Sequence, residues 1–151
     1  MSVIEQNTAE TQAGSPASAG SEARPRLLIV EDNPMNRLML GVVAERAGLD
    51  QIAVGCIEEA LLRFAREAFD AVLIDIDMDD GAGLAIGRPI RAMAGDAAPP
   101  VLAYGDNQDA DALEAAGFSG VVETPVDSQR LVAALVAALE HDLAAEAATA
   151  G

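Results

Sequence analysis

Five short apolar runs punctuate the chain from Arg26 onward, and a stretch with helical spacing follows each one. RLLIV (26–30) is continuously apolar, the pattern of a strand covered on both faces. Asn33 and Pro34 then open a helix: Asn33 can cap it, Pro34 suits the first turn, and MNRLMLGVVAERAG carries it to Gly48. DQIAVG (50–55) reads as a second strand, and IEEALLRFAREA (57–68) as a helix with Ile57, Leu61, Phe64, Ala65 and Ala68 on one face. DAVLIDI (70–76) is a third strand, followed by LAIGRPIRAMAG (84–95), a helix weakened by Gly87 and Pro89. PPVLAYG (99–105) is a fourth strand entered through Pro99 and Pro100, NQDADALEAAG (107–117) a helix, and GVVETP (120–125) a fifth strand. DSQRLVAALVAALEHDLAAEAA (127–148) closes the series. Its Leu131, Leu135 and Val136 are expected against the sheet, with Leu139 and Leu143 reaching past it. Strands alternating with helices in this way predict an α/β fold, a doubly wound five-stranded parallel sheet with helices on both faces.

The 151 residues, 51% of them hydrophobic, suffice for one domain with a proper core. Residues 1–25 are rich in Ala, Ser, Gly, Thr and Glu and carry no sustained period, so a flexible tail is expected, with a transient helix possible from Val3. Residues 26–143 form the expected folded domain, and 144–151 a C-terminal tail or frayed helix end. A net charge of −16 with scattered basic residues argues against a nucleic-acid surface. No run reaches the length of a membrane span and no signal peptide is evident, which predicts a cytoplasmic protein with no membrane partner. A lone Cys56 fits a reducing compartment and reads as a core or helix-start residue. His141, the only histidine, is expected on the surface of the last helix, and Met35, Met39 and Met78 in the core or at a pocket edge.

Charge becomes informative where it clusters. LIDIDMDDGAG (73–83) places four aspartates in six positions directly after an apolar strand. In an open parallel sheet, ligands bind beyond the carboxyl ends of the strands, where the strand order reverses. In the order 2-1-3-4-5, strands one and three are neighbours at that point. Strand one ends in Glu31 and Asp32, strand three in Asp75 with Asp77 just beyond, so two acid pairs converge on one crevice. Helix capping and solvated loop charge are the bland alternative, and Asp32 and Asp79 could serve in that way.

LLIVEDNPMNRLML together with FDAVLIDIDM resembles the receiver domain of bacterial response regulators, including receivers attached to hybrid sensor kinases. The resemblance covers about residues 26–143 and rests on VEDN combined with the spacing of Asp70, Leu73, Asp75 and Met78. It implies a flavodoxin-like (βα)5 receiver fold of strand order 2-1-3-4-5 and a role in two-component phosphorelay signalling. Asp75 would be the phosphoacceptor, taking its phosphoryl group from a histidine kinase or phosphotransfer protein. Mg2+ would be held by Asp32, Asp75 and the backbone carbonyl of Asp77, with Glu31 on a metal-bound water. The domain would act through contact with an unknown downstream protein, on the face made by the fourth helix, fifth strand and last helix. It would not be an enzyme beyond self-catalysed phosphoryl transfer and autodephosphorylation. Pro125 is expected to follow a cis peptide, as its family counterpart does.

Several family positions are replaced. The proline expected four residues after the acceptor is Asp79. The Thr or Ser ending strand four is Gly105, or Tyr104 if the run is aligned one residue earlier. The strand-five lysine is Thr124, and the aromatic residue three positions before it is Val121. All nine basic residues are arginine, so no lysine substitutes; Arg88 and Arg91 are the candidates for reaching round to the acids. A rim of Glu31, Asp32, Asp75, Asp77, Asp79, Asp80, Asp106 and Glu123 with no ammonium should bind divalent cations readily. A calcium loop fits poorly, because its glycine arrives late at Gly81 and its twelfth position is Ile86. DID (75–77) matches the first motif of haloacid-dehalogenase-type phosphatases, but mid-chain and without the rest of that machinery. The principal alternative is a pseudo-receiver, an interaction module that works without regulated phosphorylation.

Overall fold

The computed structural model describes residues 24–106 and 109–150, without the side chains of residues 97 and 141–150. The expected tail, the possible helix from Val3, and the side chains of His141 and Leu143 lie outside the described residues. The strands are β1 (Arg26–Val30), β2 (Asp50–Val54), β3 (Ala71–Asp75), β4 (Val101–Tyr104) and β5 (Gly120–Val121). They form one parallel sheet in the order β2-β1-β3-β4-β5. The main helices are α1 (Pro34–Arg46), α2 (Ile57–Arg66), α3 (Gly87–Ala94), α4 (Ala110–Ala115) and α5 (Ser128–Ala150). Among the described residues, no helix is long and apolar enough to cross a membrane.

The period-two alternation of a strand splits each central run between two faces. Leu28, Val30, Val72, Ile74, Val101 and Ala103 meet Ala60 of α2, Ile90 of α3 and Leu113 of α4. Leu27, Ile29, Leu73, Leu102 and Tyr104 face the other way, against Leu40 and Ala44 of α1 and Leu131 and Ala138 of α5. Both faces are therefore covered, which is why the central strands read as unbroken apolar runs. At the start of α1, Asn33 accepts from the Met35 and Asn36 amides (2.9 and 3.0 Å), with Pro34 in the first turn. Cys56 is exposed at the start of α2.

Some expectations change. Met35 and Met39 are not core residues: they are 65% and 57% exposed, alongside Leu38 at 67%. Leu40 and Ala44 already occupy the inner face of α1 against Leu27 and Ile29, so its outer face is left apolar. Met78 is buried. Leu131 is fully buried and Leu135 packs beside it, but Val136 is exposed, one helical step round from the contact stripe. On α2, Ala60 is the buried alanine and Ala65 faces solvent; the helix ends at Arg66, so Ala68 lies beyond it and is exposed too. β5 is shorter than GVVETP because only Val122 continues the ladder, donating to Ala103 O (2.8 Å). Pro125, which follows a cis peptide after Thr124, has no N–H to extend it.

The segment after β3 departs most from regular geometry. Met78–Gly81 is a short helical turn whose Asp79 and Asp80 have φ of 53° and 56°, and a 3-10 turn (Ala82–Ile86) leads into α3. Proline, with φ fixed near −65°, cannot occupy position 79 in this turn. Aspartate is among the few side chains that tolerate left-handed backbone, so the pair is suited to the turn itself. α3 begins only at Gly87 because Pro89 is accommodated within a first turn but not deeper. Gly83 is required by close packing: a β-carbon there would overlap the Asp75 carbonyl oxygen and lie 3.0 Å from Ile76 Cα. Gly83→Ala is therefore expected to lower folding stability by about 1–3 kcal/mol in a denaturant titration, as overpacking against backbone does. An unchanged midpoint would show that the loop does not seat against β3 in this way.

Candidate acid pocket at the carboxyl end of the sheet

β1 and β3 are hydrogen-bonded neighbours, with Val30 opposite Ile74, so the residues that follow them emerge side by side. One carboxylate oxygen from each of Glu31, Asp32 and Asp75 lies within 4.8 Å of the others. Their environments differ: Glu31 is 1% exposed, Asp75 is half-buried and Asp32 is open to solvent. A buried carboxylate needs donors, and Glu31 has one on each oxygen. The Asn33 amide donates to Glu31 Oε2 (3.0 Å), and the Tyr104 hydroxyl donates to Glu31 Oε1. Arg37, one turn into α1, donates to the Glu31 carbonyl (2.9 Å) and more weakly to that of Asp32 (3.5 Å). It thus brings positive charge near the rim, though to backbone and not to a carboxylate.

Asp75 Oδ1 accepts from the Asp77 amide (2.9 Å). Burial, reinforced by the charge of Glu31, pushes the Asp75 carboxyl up to about 6, against the lowering effect of that amide. Burial, the bond to Glu31 and the nearby carboxylates raise the Tyr104 phenol above its ordinary range, so it is a protonated donor.

The remaining candidate residues are distributed unevenly. The Asp77 carboxylate is not in the three-acid group; its Oδ2 accepts from the Asp106 amide (2.7 Å) and so ties the loop after β3 to the loop after β4. The Asp77 carbonyl accepts from the Gly81 amide (3.3 Å), which leaves its second lone pair for a metal. Gly105, at φ 144°, lies directly under this strut: a β-carbon there would be 2.6 Å from Asp77 Oδ2 and 2.8 Å from Ile76 Cγ1. A threonine or serine at 105 is therefore incompatible with the observed position of Asp77. Val121 is partly buried on the opposite face, with the α2–α4 core, and Thr124 is exposed beyond β5. Arg88 and Arg91 do not reach the pocket. Arg88 bonds to the Ala115 carbonyl (2.8 Å) at the end of α4, and Arg91 to Ser119 Oγ (3.2 Å), just before β5. Every ion pair among the described residues likewise lies away from the three acids.

Tyr104 stands opposite Asp75 in the β3–β4 register, and the shared parity aims its hydroxyl into the pocket. The sequence names Tyr104 only as an alternative alignment, because strand register is not written in one strand alone. Three carboxylates with no cationic side chain between them form an oxygen-only donor set of the kind that suits Mg2+. The residues present fit that ion.

Because Asp75 titrates higher folded than unfolded, its contribution to stability is fully present below about pH 4 and is lost as pH rises through about 6. Asp75→Asn removes that loss and keeps an acceptor for the Asp77 amide. Without metal, the variant should match the wild type near pH 4 and exceed it by about 1 kcal/mol at pH 7, allowing for solvent screening at a half-exposed group. A difference that does not change with pH in paired denaturant titrations would contradict the placement of Asp75 beside Glu31.

Comparison with known proteins identifies the family and the fold. The response regulator receiver domain family matches residues 27–136. The sensory/regulatory protein RpfC of Xanthomonas campestris pv. campestris is 30% identical over 112 residues, 71% of this chain and 15% of RpfC. The response regulator protein PilR of Pseudomonas aeruginosa is 34% identical over 111 residues, 72% of this chain and 25% of PilR. The chain thus spans a quarter or less of either relative's length. A sensor protein from Polaromonas sp. JS666 superposes with a TM-score of 0.67 at 26% identity, over 79% of this chain and 98% of that one. The chemotaxis protein CheY4 of Vibrio cholerae shares the fold at 21% identity and a TM-score of 0.66, over 73% of this chain and 94% of its own. The chain belongs to the response regulator receiver domain family and is a receiver domain of two-component signalling.

Proposed function

We propose that this domain accepts a phosphoryl group on Asp75 from a histidine kinase or phosphotransfer protein and signals by protein contact in the cytoplasm, with no nucleic-acid or membrane partner. The observation that carries this reading is Asp75 itself, half-buried at the end of β3 with Glu31 and Asp32 within reach of a common ion. At neutral pH its carboxyl is mostly ionised even with the upward push to about 6, so a nucleophile is available. One Asp75 oxygen attacks phosphorus, the N–P bond of phosphohistidine breaks, and the leaving imidazole takes a proton from solvent. The product is an acyl phosphate. The Asp77 amide, bonded to Oδ1, holds the carboxylate in one rotamer for in-line approach.

Glu31, Asp32, Asp75 and the Asp77 carbonyl would hold Mg2+, and the ion, when bound, supplies neutralisation of charge on the transferring oxygens. Burial of Glu31 and the two donors on its oxygens fix one wall of that site. The apolar outer face of α1, the helix that follows Glu31 and Asp32, exposes Met35, Leu38, Met39 and Val42 and supports a partner that approaches over this helix.

A second reading, the pseudo-receiver, draws support from the signal-reading positions. Gly105 provides no hydroxyl and lies under the Asp77 strut, and Thr124 provides no charge. A phosphoryl group on Asp75 would then change the surface little. The domain incubated with acetyl phosphate and Mg2+ should gain the mass of one phosphoryl group, and Asp75→Asn should abolish the gain. An unmodified wild type under saturating conditions would favour the pseudo-receiver.

A further inference from the structure

A cluster of three carboxylates with no cationic side chain needs some other group to hold it together. The described residues around it provide only neutral donors: two amides, from Asn33 and Asp77, and one hydroxyl. The hydroxyl differs from the amides because it comes from a separate strand. The amides belong to the turns that carry the acids, so they are present whenever those turns form. Tyr104 reaches in from β4, opposite Asp75, with its ring buried among Leu73, Leu102 and the residues of α1 and α5. The phenol is buried, and its acceptor is the most buried of the three acids.

We propose that Tyr104 is a positioning residue of the acid pocket, whose hydroxyl holds Glu31 in the metal-free state and opposes divalent-cation binding there. The inference rests on the reading of the pocket as a cation site. The hydroxyl and a cation draw on the same charge at Glu31. A carboxylate oxygen already bound to a buried O–H is a weaker partner for an ion or for a water carried by that ion. Linkage makes the effect reciprocal: by the factor that Tyr104 weakens the ion, the ion weakens the Tyr104–Glu31 bond. A phenol carries no charge, so it can quiet the repulsion in the empty pocket without occupying the ion's place. The cost is a lower affinity for the ion than the bare acids would show.

Tyr104→Phe keeps the ring and removes only the donor. Mg2+ titrated into wild type and variant, followed by calorimetry, should bind the variant about three- to tenfold more tightly, the range set by loss of one charge-assisted hydrogen bond partly replaced by the ion. A second measurement needs no substitution. Tyr104 is the only tyrosine and the chain has no tryptophan, so emission excited above the phenylalanine band reports this phenol alone. Adding Mg2+ to the wild type should change that emission along the same isotherm as the heat. Equal or weaker binding by Tyr104→Phe, or emission that stays constant while the wild type binds the ion, would overturn the role of Tyr104 and leave the cation site standing. Absence of Mg2+ binding by both proteins, together with an Asp75 that acetyl phosphate does not modify, would overturn the cation site as well.

Discussion

The repulsion among Glu31, Asp32 and Asp75 is the constraint around which this end of the molecule is organised. The adjacency of β1 and β3 forces the three together, and no side-chain cation among the described residues relieves them. The fold answers with hydrogen bonds. Glu31 accepts from Asn33 and Tyr104, Asp75 accepts from the Asp77 amide on one oxygen, and Arg37 lends its charge to the adjacent carbonyls. Burial first, and the charge of Glu31 after it, still push the Asp75 carboxyl upward against the lowering effect of the Asp77 amide. A pocket in that condition is poised for a cation, whose binding relieves what the neutral donors leave.

The loops follow from the same arrangement. Asp77 turns its carboxylate away from the cluster and uses it to fasten the two loops together, which demands glycine at 105. Gly83 lets the following chain lie on the Asp75 carbonyl. Asp79 and Asp80 supply a left-handed turn that proline cannot make. The four aspartates of LIDIDMDDGAG thus do three jobs: one carboxylate in the acid pocket, one strut and a two-residue turn. Close approach and backbone conformation, as much as charge, explain why this stretch has its composition.

Much of the fold was legible in the sequence because apolar runs and helix signals are local. RLLIV, DAVLIDI and PPVLAYG each announce a buried strand, and Asn33–Pro34 announces a helix start. The convergence of Glu31, Asp32 and Asp75 was legible too, since the sheet order places their strands side by side. What escaped was everything that depends on register or on the neighbouring loop. Tyr104 could be assigned to the pocket only once β4 was aligned with β3. The reach of Asp77 to Asp106, the turning of Arg88 and Arg91 to Ala115 and Ser119, and the exposure of Met35 and Met39 all depend on which side of an element meets which neighbour. No single element encodes those choices.

Three acids held together without an ammonium are expected to bind a divalent cation and to be stabilised by it. A thermal melt of the metal-stripped domain at neutral pH, repeated with Mg2+ raised to about a hundredfold above its dissociation constant, tests it most directly. Binding to the native state alone predicts a rise in melting temperature of about 5 °C or more that grows with the logarithm of Mg2+ concentration. A melt unchanged by millimolar Mg2+ would contradict the account.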